Sequence, residues 1–198
     1  MSNEKKTGGK ALYSLIPLDS FKALLGVDDR EDKLCRFSLT TSTFTIEQYC
    51  MRRFLRKKYV ETVEYYGDKF LPLREYPVIS INSEQVTVNN GDILDPKYYR
   101  VIPDCGSNEN FQYSVEFSKE LRKWRWLQSI KFVYEAGYSC EDVPQDLASA
   151  CLELAAWNMS RYKGKRIGVI TSTKADGLEM AMPLQVRELL EPYRRKTI

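Results

Sequence analysis

The chain has 198 residues, 43% hydrophobic and 29% charged, with a formal net charge of only +3 from 30 basic and 27 acidic residues. That length predicts a single domain with a real core, burying roughly 70% of the unfolded surface, and the near balance of charge argues against a dedicated nucleic-acid binder. Histidine is absent, which excludes Ser-His-Asp and Cys-His catalysis, HExxH zinc sites and Cys2His2 fingers, each of which needs an imidazole. No apolar run approaches the ~20 residues that span a bilayer, and MSNEKKTGGK carries no apolar h-region, so neither a membrane segment nor a secretion signal is expected.

Residues 1–10 are polar, lysine-bearing and interrupted by glycine, which predicts a disordered arm. Residues 11–198 are expected to form one domain. Residues 18–27 read as a short helix, with Asp19 or Ser20 as cap, Phe21, Leu24 and Leu25 on one face, and Gly26 as the stop. A second helix is predicted over about 29–57, on the spacing of Leu34, Phe37, Phe44, Tyr49, Phe54 and Leu55. Its threonine-rich centre, SLTTSTFTI, has poor helix propensity and admits a break near 40–43. The helical part thus covers 18–57.

Over about 58–136 the period falls toward two, as expected for a small antiparallel β subdomain. Strands are predicted at 60–65, 78–81, 86–88, 98–102, 111–117 and 130–134, the fifth from the alternation of Phe111, Tyr113, Val115 and Phe117. Asn90-Gly91 is a hairpin signal. Pro72, Pro77, Pro96 and Pro103 favour short strands.

The helical part resumes over 143–195. Asp142 and Pro144 offer helix-start chemistry, an acceptor side chain and a preset φ. From there Leu147, Ala150, Cys151, Leu154, Trp157 and Asn158 recur at three- and four-residue steps, an apolar stripe that needs a partner. Residues 163–182 are expected to form a long loop holding the apolar patch 167–170. The chain then closes on a helix with Pro183 in its first turn and Val186, Leu189, Leu190 and Tyr193 on one face. The expected fold class is therefore α+β, mainly α: a helical bundle with an inserted antiparallel β subdomain and a C-terminal helix.

Chemistry-bearing motifs are sparse. Five cysteines, Cys35, Cys50, Cys105, Cys140 and Cys151, form no CxxC pair, which fits reduced thiols, Cys151 being on the stripe. The ten glycines never form GxGxxG or GxxxxGK[ST]. The acidic groups Asp28, Asp29, Glu31, Asp32 and Glu141, Asp142, Asp146 stand where helices start, so the helix dipole accounts for them without a metal. No catalytic residue, cofactor or metal is expected.

Four pieces in order, LREYPVISI, IKFVYEAGY, EDVPQDLASACLELAAW and MPLQVRELLEPYRR, resemble the head-to-tail connector (adaptor, head completion) proteins of tailed bacteriophages, over about 18–195. The resemblance implies a non-enzymatic virion protein forming a ring, generally dodecameric, below the portal. Such a ring extends the DNA exit channel, helps to retain the genome and supports the next tail-side component. It implies as partners further copies of the chain, the portal protein, a tail-side protein and DNA in the channel, with no membrane, in the virion and, during assembly, in the host cytoplasm. Within that reading Ile167, Val169 and Ile170 are candidate subunit contacts, and Leu189, Tyr193, Arg194 and Arg195 candidate portal contacts. The plain alternatives are a solvated linker for the loop and simple helix packing for Tyr193. The charged segment CGSNENFQYSVEFSKELRKWRW is longer than the strand-turn-strand of the family.

A second reading is a nucleic-acid-binding accessory protein. MRRFLRKKY and LRKWRWLQ interleave basic and aromatic residues, so Arg52, Arg53, Arg56, Lys57, Lys58, Arg122, Lys123 and Arg125 would meet phosphates, with Trp124 or Trp126 stacking on bases.

Overall fold

A computed structural model describes residues 12–89, 91–102, 115–124, 127–164 and 182–195. The expectations for residues 1–10, Asn90, Cys105, Phe111, Tyr113, Arg125, Trp126 and the 163–182 loop beyond Gly164 fall largely or wholly outside them. The fold is α+β and mainly α, with four α-helices and small antiparallel sheets among the described residues. The chain divides into two compact units, a helical one (Met1–Met51 with Cys140–Ile198) and a sheet one (Arg52–Ser139).

The helical unit comprises α1 (Leu18–Leu25), α2 (Asp32–Cys50), α3 (Gln145–Lys163) and α4 (Leu184–Leu190). Helix α1 ends on Gly26 in the left-handed conformation, φ 63°, as its sequence predicts; its N-cap is Pro17, not Asp19 or Ser20. Pro144 and Pro183 likewise sit at the N-caps of α3 and α4, one position earlier than a first helical turn. Contacts between α2 and α3 run Thr43 to Cys151, Ser42 to Asn158, Phe37 to Tyr162 and Glu31 to Lys163, so the two helices lie antiparallel.

Helix α2 is unbroken through its threonines, where tertiary partners satisfy Ser42, Thr43 and Glu47 and offset the poor propensity. Asn158 Nδ2 donates to Ser42 Oγ at 3.0 Å, Leu15 N donates to Thr43 Oγ1 at 3.3 Å, and Tyr13 Oη donates to the buried Glu47 carboxylate at 2.8 Å. The buried stripe is Cys35, Ser38, Leu39, Ser42, Thr43, Ile46 and Cys50. Phe37 and Phe44 are instead 57% and 48% exposed on the opposite side, a correction to the apolar face predicted through them. The helix also stops at Cys50, short of 57, where Met51 turns into the left-handed region at φ 53°. Residues 51–56 then lead into a strand.

The sheet unit is organised on β8 (Ser129–Ala136), whose even residues are buried and odd ones half-buried. Strand β1 (Lys57–Glu64) pairs with β8 along its whole length; β4 (Thr87–Val88) and β3 (Val78–Ile81) pair with it on the other side, and β5 (Asp92–Ile93) lies beyond β4. A second sheet has the order β2 (Phe70–Leu71), β7 (Val115–Phe117), β6 (Tyr99–Val101). Strand β3 coincides with its predicted span, whereas β2 and β5, two residues each, have no readable period. Between β4 and β5, Asn89 takes φ 47° and Gly91 N donates to Val88 O.

The core of this unit includes Phe132, Tyr134, Ile130, Val115, Phe117 and Leu121. Gly137 closes it. At φ +105°, a Cβ there would stand 2.7 Å from Leu55 C and Phe54 O, and this close approach lets Tyr138 N reach Phe54 O while Arg56 N reaches Tyr138 O. Only glycine fits both demands.

Candidate assembly surfaces

In the helical unit the C-terminal residues return to the end of α2. Val186 and Leu190 are buried, Leu189 and Tyr193 half-buried, and Arg194 exposed. Arg195 N donates to Cys50 O at 2.9 Å, Tyr49 Oη donates to Glu191 Oε2 at 3.2 Å, and the Arg194 guanidinium lies 5.4 Å from the Tyr49 ring centroid. The structure thus brings Arg194 and Arg195 to Tyr49 and Cys50 at the end of α2, and puts Leu189 and Tyr193, half-buried, in α4 and the turn that follows it. Ile167, Val169 and Ile170 lie outside the described residues.

Two aromatic pairs occupy the outer side of α2. Phe37 meets Tyr162 at 5.3 Å between centroids, and Phe44 stacks on Tyr13 at 4.8 Å. The sequence holds a signal for them: Phe37 and Phe44 are seven residues apart and fall opposite Leu39 and Ile46 on a 3.6-residue period.

The acidic residues before α2 act as helix-start groups. Asp28 accepts from Arg30 N at 2.9 Å, and Lys22 pairs with Asp29 and Asp32, which hold its ammonium well above the usual lysine range. Among the described residues no group of three or more cysteine or carboxylate side chains is placed to hold a metal ion, and no helix is long and apolar enough to cross a membrane. Burial pushes the Cys151 thiol up to about 12, whereas Cys140 is exposed.

The described basic residues of MRRFLRKKY and LRKWRWLQ differ in burial and pairing. Arg52 is 4% exposed, with its guanidinium 3.4 Å from the Tyr76 ring centroid and 4.8 Å from that of Phe54, and it donates to Tyr76 O. It is a packing residue and is removed from the phosphate-contact set. Arg56 pairs with Glu135 at 3.1 Å, holding that carboxyl below its usual range. Arg53, Lys57, Lys58 and Lys123 are exposed, and Arg122 half-buried. Trp124 is half-buried, edge-on to Tyr98 at 4.9 Å, in a packing role rather than as an open stacking platform.

Beneath β1 a polar network anchors the segment before β3. Tyr134 Oη donates to Glu61 Oε2 at 2.8 Å and accepts from Glu75 N at 3.2 Å, while Arg74 N donates to Glu61 and Arg53 N to Glu75, each at 3.0 Å. Burial and the Glu61 carboxylate together raise the Tyr134 phenol far above its ordinary range.

No protein-family model matches the chain, and no curated protein matches it. Solved structures do. The chain is similar to one in the neck of an empty GTA particle computed with C6 symmetry: TM-score 0.58 at 18% identity, over 96% of this chain and 95% of the other. A chain of the virion of a native gene transfer agent particle gives TM-score 0.57 at 17% identity, over 93% and 91%. A chain of the neck of the native GTA particle computed with C12 symmetry gives 0.54 at 17%, over 96% and 94%. At these identities the shared property is the fold, which extends over nearly the full length of each chain.

Proposed function

We propose that this chain is a structural protein of the head-to-tail neck of a tailed-phage-like particle, a ring of copies between the portal and the tail. The observation that carries the reading is the near full-length fold match with chains from necks computed with C6 and C12 symmetry. The family resemblance carried by LREYPVISI through MPLQVRELLEPYRR is independent of it. The work is mechanical: to extend the DNA channel, support genome retention and offer a platform to the next tail-side component, with residence in the virion after assembly in the host cytoplasm.

Neighbouring copies meet at Ile167, Val169 and Ile170, and the portal meets Leu189, Tyr193, Arg194 and Arg195. A head-to-tail contact of ~800 Å² per partner gains from closure into a ring. The nucleic-acid reading is weaker, because Arg52 is buried and Arg56 is paired with Glu135. Light scattering on the purified chain, alone and with a candidate portal, followed by negative-stain imaging, tests the ring. A closed ring in either condition supports it, and a chain that never exceeds a dimer in both overturns it. Deleting residues 164–177 removes the ring and leaves a folded monomer if the loop carries the subunit contact.

A further inference from the structure

Among the described residues, strand β1 is paired along one edge only. Tyr65 N donates to Gln128 O on one side of β8, while Asn89 N and Asn82 N reach Ser129 O and Val133 O on the other. Even residues of β8 therefore face β1. In the β1–β8 register, Lys57, Tyr59, Glu61 and Val63 stand opposite those even residues, so antiparallel alternation turns the backbone groups of Lys58, Val60, Thr62 and Glu64 away from the sheet. No described residue bonds those outward N–H or C=O groups. The edge is eight residues long, without proline or a register break; of the guards usual on exposed edges it carries only charge, at Lys57, Lys58, Glu61 and Glu64.

The side chains along this edge are self-complementary about Glu61. Lys58 and Glu64 stand three residues either side of it, Val60 and Thr62 one either side, and Tyr59 and Val63 two either side. We infer that β1 of one copy pairs antiparallel with β1 of a second copy across a two-fold axis at Glu61, joining two sheets into one. Lys58 then opposes Glu64, Val60 opposes Thr62, and Tyr59 opposes Val63, each a favourable cross-strand pair. Because the outward groups all belong to even residues and even residues oppose even residues, the Lys58–Glu64 and Val60–Thr62 pairs exchange backbone hydrogen bonds, the odd pairs between them are the non-hydrogen-bonded ones, and each sheet keeps its buried face on the same side.

Val60 is 65% exposed and gains cover. Lys58 is exposed and lies across from Glu135, which already has Arg56 as partner at 3.1 Å. Glu64 accepts from the exposed Tyr66 hydroxyl, a contact that leaves its carboxylate at the surface. The single unfavourable pair is Glu61 against its own copy, although its carboxylate is already held by Tyr134 Oη and Arg74 N.

This goes beyond the ring. A two-fold contact does not by itself close a ring of many copies, so the dimer is a state of the free chain that masks an aggregation-prone edge before assembly. One pair of strands buries less than a standard interface, which makes the dimer weak and concentration-dependent.

Light scattering of the full-length chain over ~1 to ~500 μM spans the range expected for such a small interface. The wild type should rise from 23.1 kDa toward twice that mass. Lys58→Glu and Glu64→Lys should each dissociate on the order of tenfold more readily, since either creates two like-charge pairs. Mixing the two variants should restore association, because each then supplies the charge the other lacks. Thr62→Pro, which removes one outward N–H, should be monomeric, and Glu61→Gln, which retains an acceptor oxygen, should tighten the dimer. Circular dichroism confirms that each variant folds.

A wild type that stays monomeric throughout overturns the pairing, as do charge variants that associate like wild type or a mixture that does not recover. A large species unchanged in every variant overturns the edge and leaves the ring standing. A charge-sensitive dimer that builds no ring, even with a portal, does the reverse.

Discussion

The two units solve the same problem with different materials. In the sheet unit, large aliphatic and aromatic side chains from alternate positions of β8 form an apolar core, and its polar anchors, such as Tyr134 with Glu61, gather beside one strand. In the helical unit the α2–α3 contact itself carries Ser38, Ser42, Thr43 and Asn158, all buried. The first unit is specified by pattern and volume, the second in part by buried hydrogen bonds such as that from Asn158 to Ser42. Period alone therefore describes the sheet well and the helices less well.

Replacement of Phe132 sharpens this contrast most. Phe132→Ala empties the middle of β8 and should lower stability by about 3–5 kcal/mol in urea unfolding. Gly137→Ala comes next, at about 2–4 kcal/mol, because its Cβ meets backbone at 2.7 Å and cannot be relieved by a rotamer change. Gly26→Ala is the internal control: φ is also positive, but nothing lies within 4 Å, so only the conformational term of about 1 kcal/mol remains. In the helical unit Asn158→Ala should cost about 1–3 kcal/mol by leaving Ser42 Oγ without its donor.

The smallest effect at neutral pH is the titration of Cys151. Its folded value of about 12 stands above the ordinary 9, so its contribution is complete below pH 9 and is lost as pH rises from 9 toward 12. Urea midpoints between pH 8 and 11 should fall less steeply in Cys151→Ala than in wild type, and the same slope in both would remove Cys151 as the cause. At pH 8, Cys140 should alkylate in the folded chain while Cys35, Cys50 and Cys151 require unfolding, as read by peptide mass.

Much of this architecture was legible in the residues. The stripe from Leu147 to Asn158 and the β-branched run of β8 have strong periods, and both elements stand where those periods put them. The end of α2 was not legible, because a left-handed methionine has no local signature, and the burial of Arg52 was not legible either, since its contact with Tyr76 spans more than twenty positions of sequence. The same contact explains why MRRFLRKKY misleads as a basic patch, since its members divide between interior and edge. Phe37 and Phe44 misled in the opposite sense, as aromatic residues counted toward a core that the smaller Cys35, Ser38 and Ser42 occupy. The bare edge of β1 was written in the alternation of KKYVETVE, but its symmetry has meaning only once β8 is known to cover one side alone.

The short parallel bridge between Leu55 and Tyr138 has a kinetic consequence. It clamps together the two points at which the chain enters and leaves the sheet unit. Before that clamp forms, bringing α2 against α3 means closing a loop of residues 52–139; afterwards the same encounter closes only the few residues on either side of it. Loop entropy grows with the logarithm of length, so zipping of β1 onto β8 shortens the effective separation of the two long helices and lowers the entropic cost of docking them.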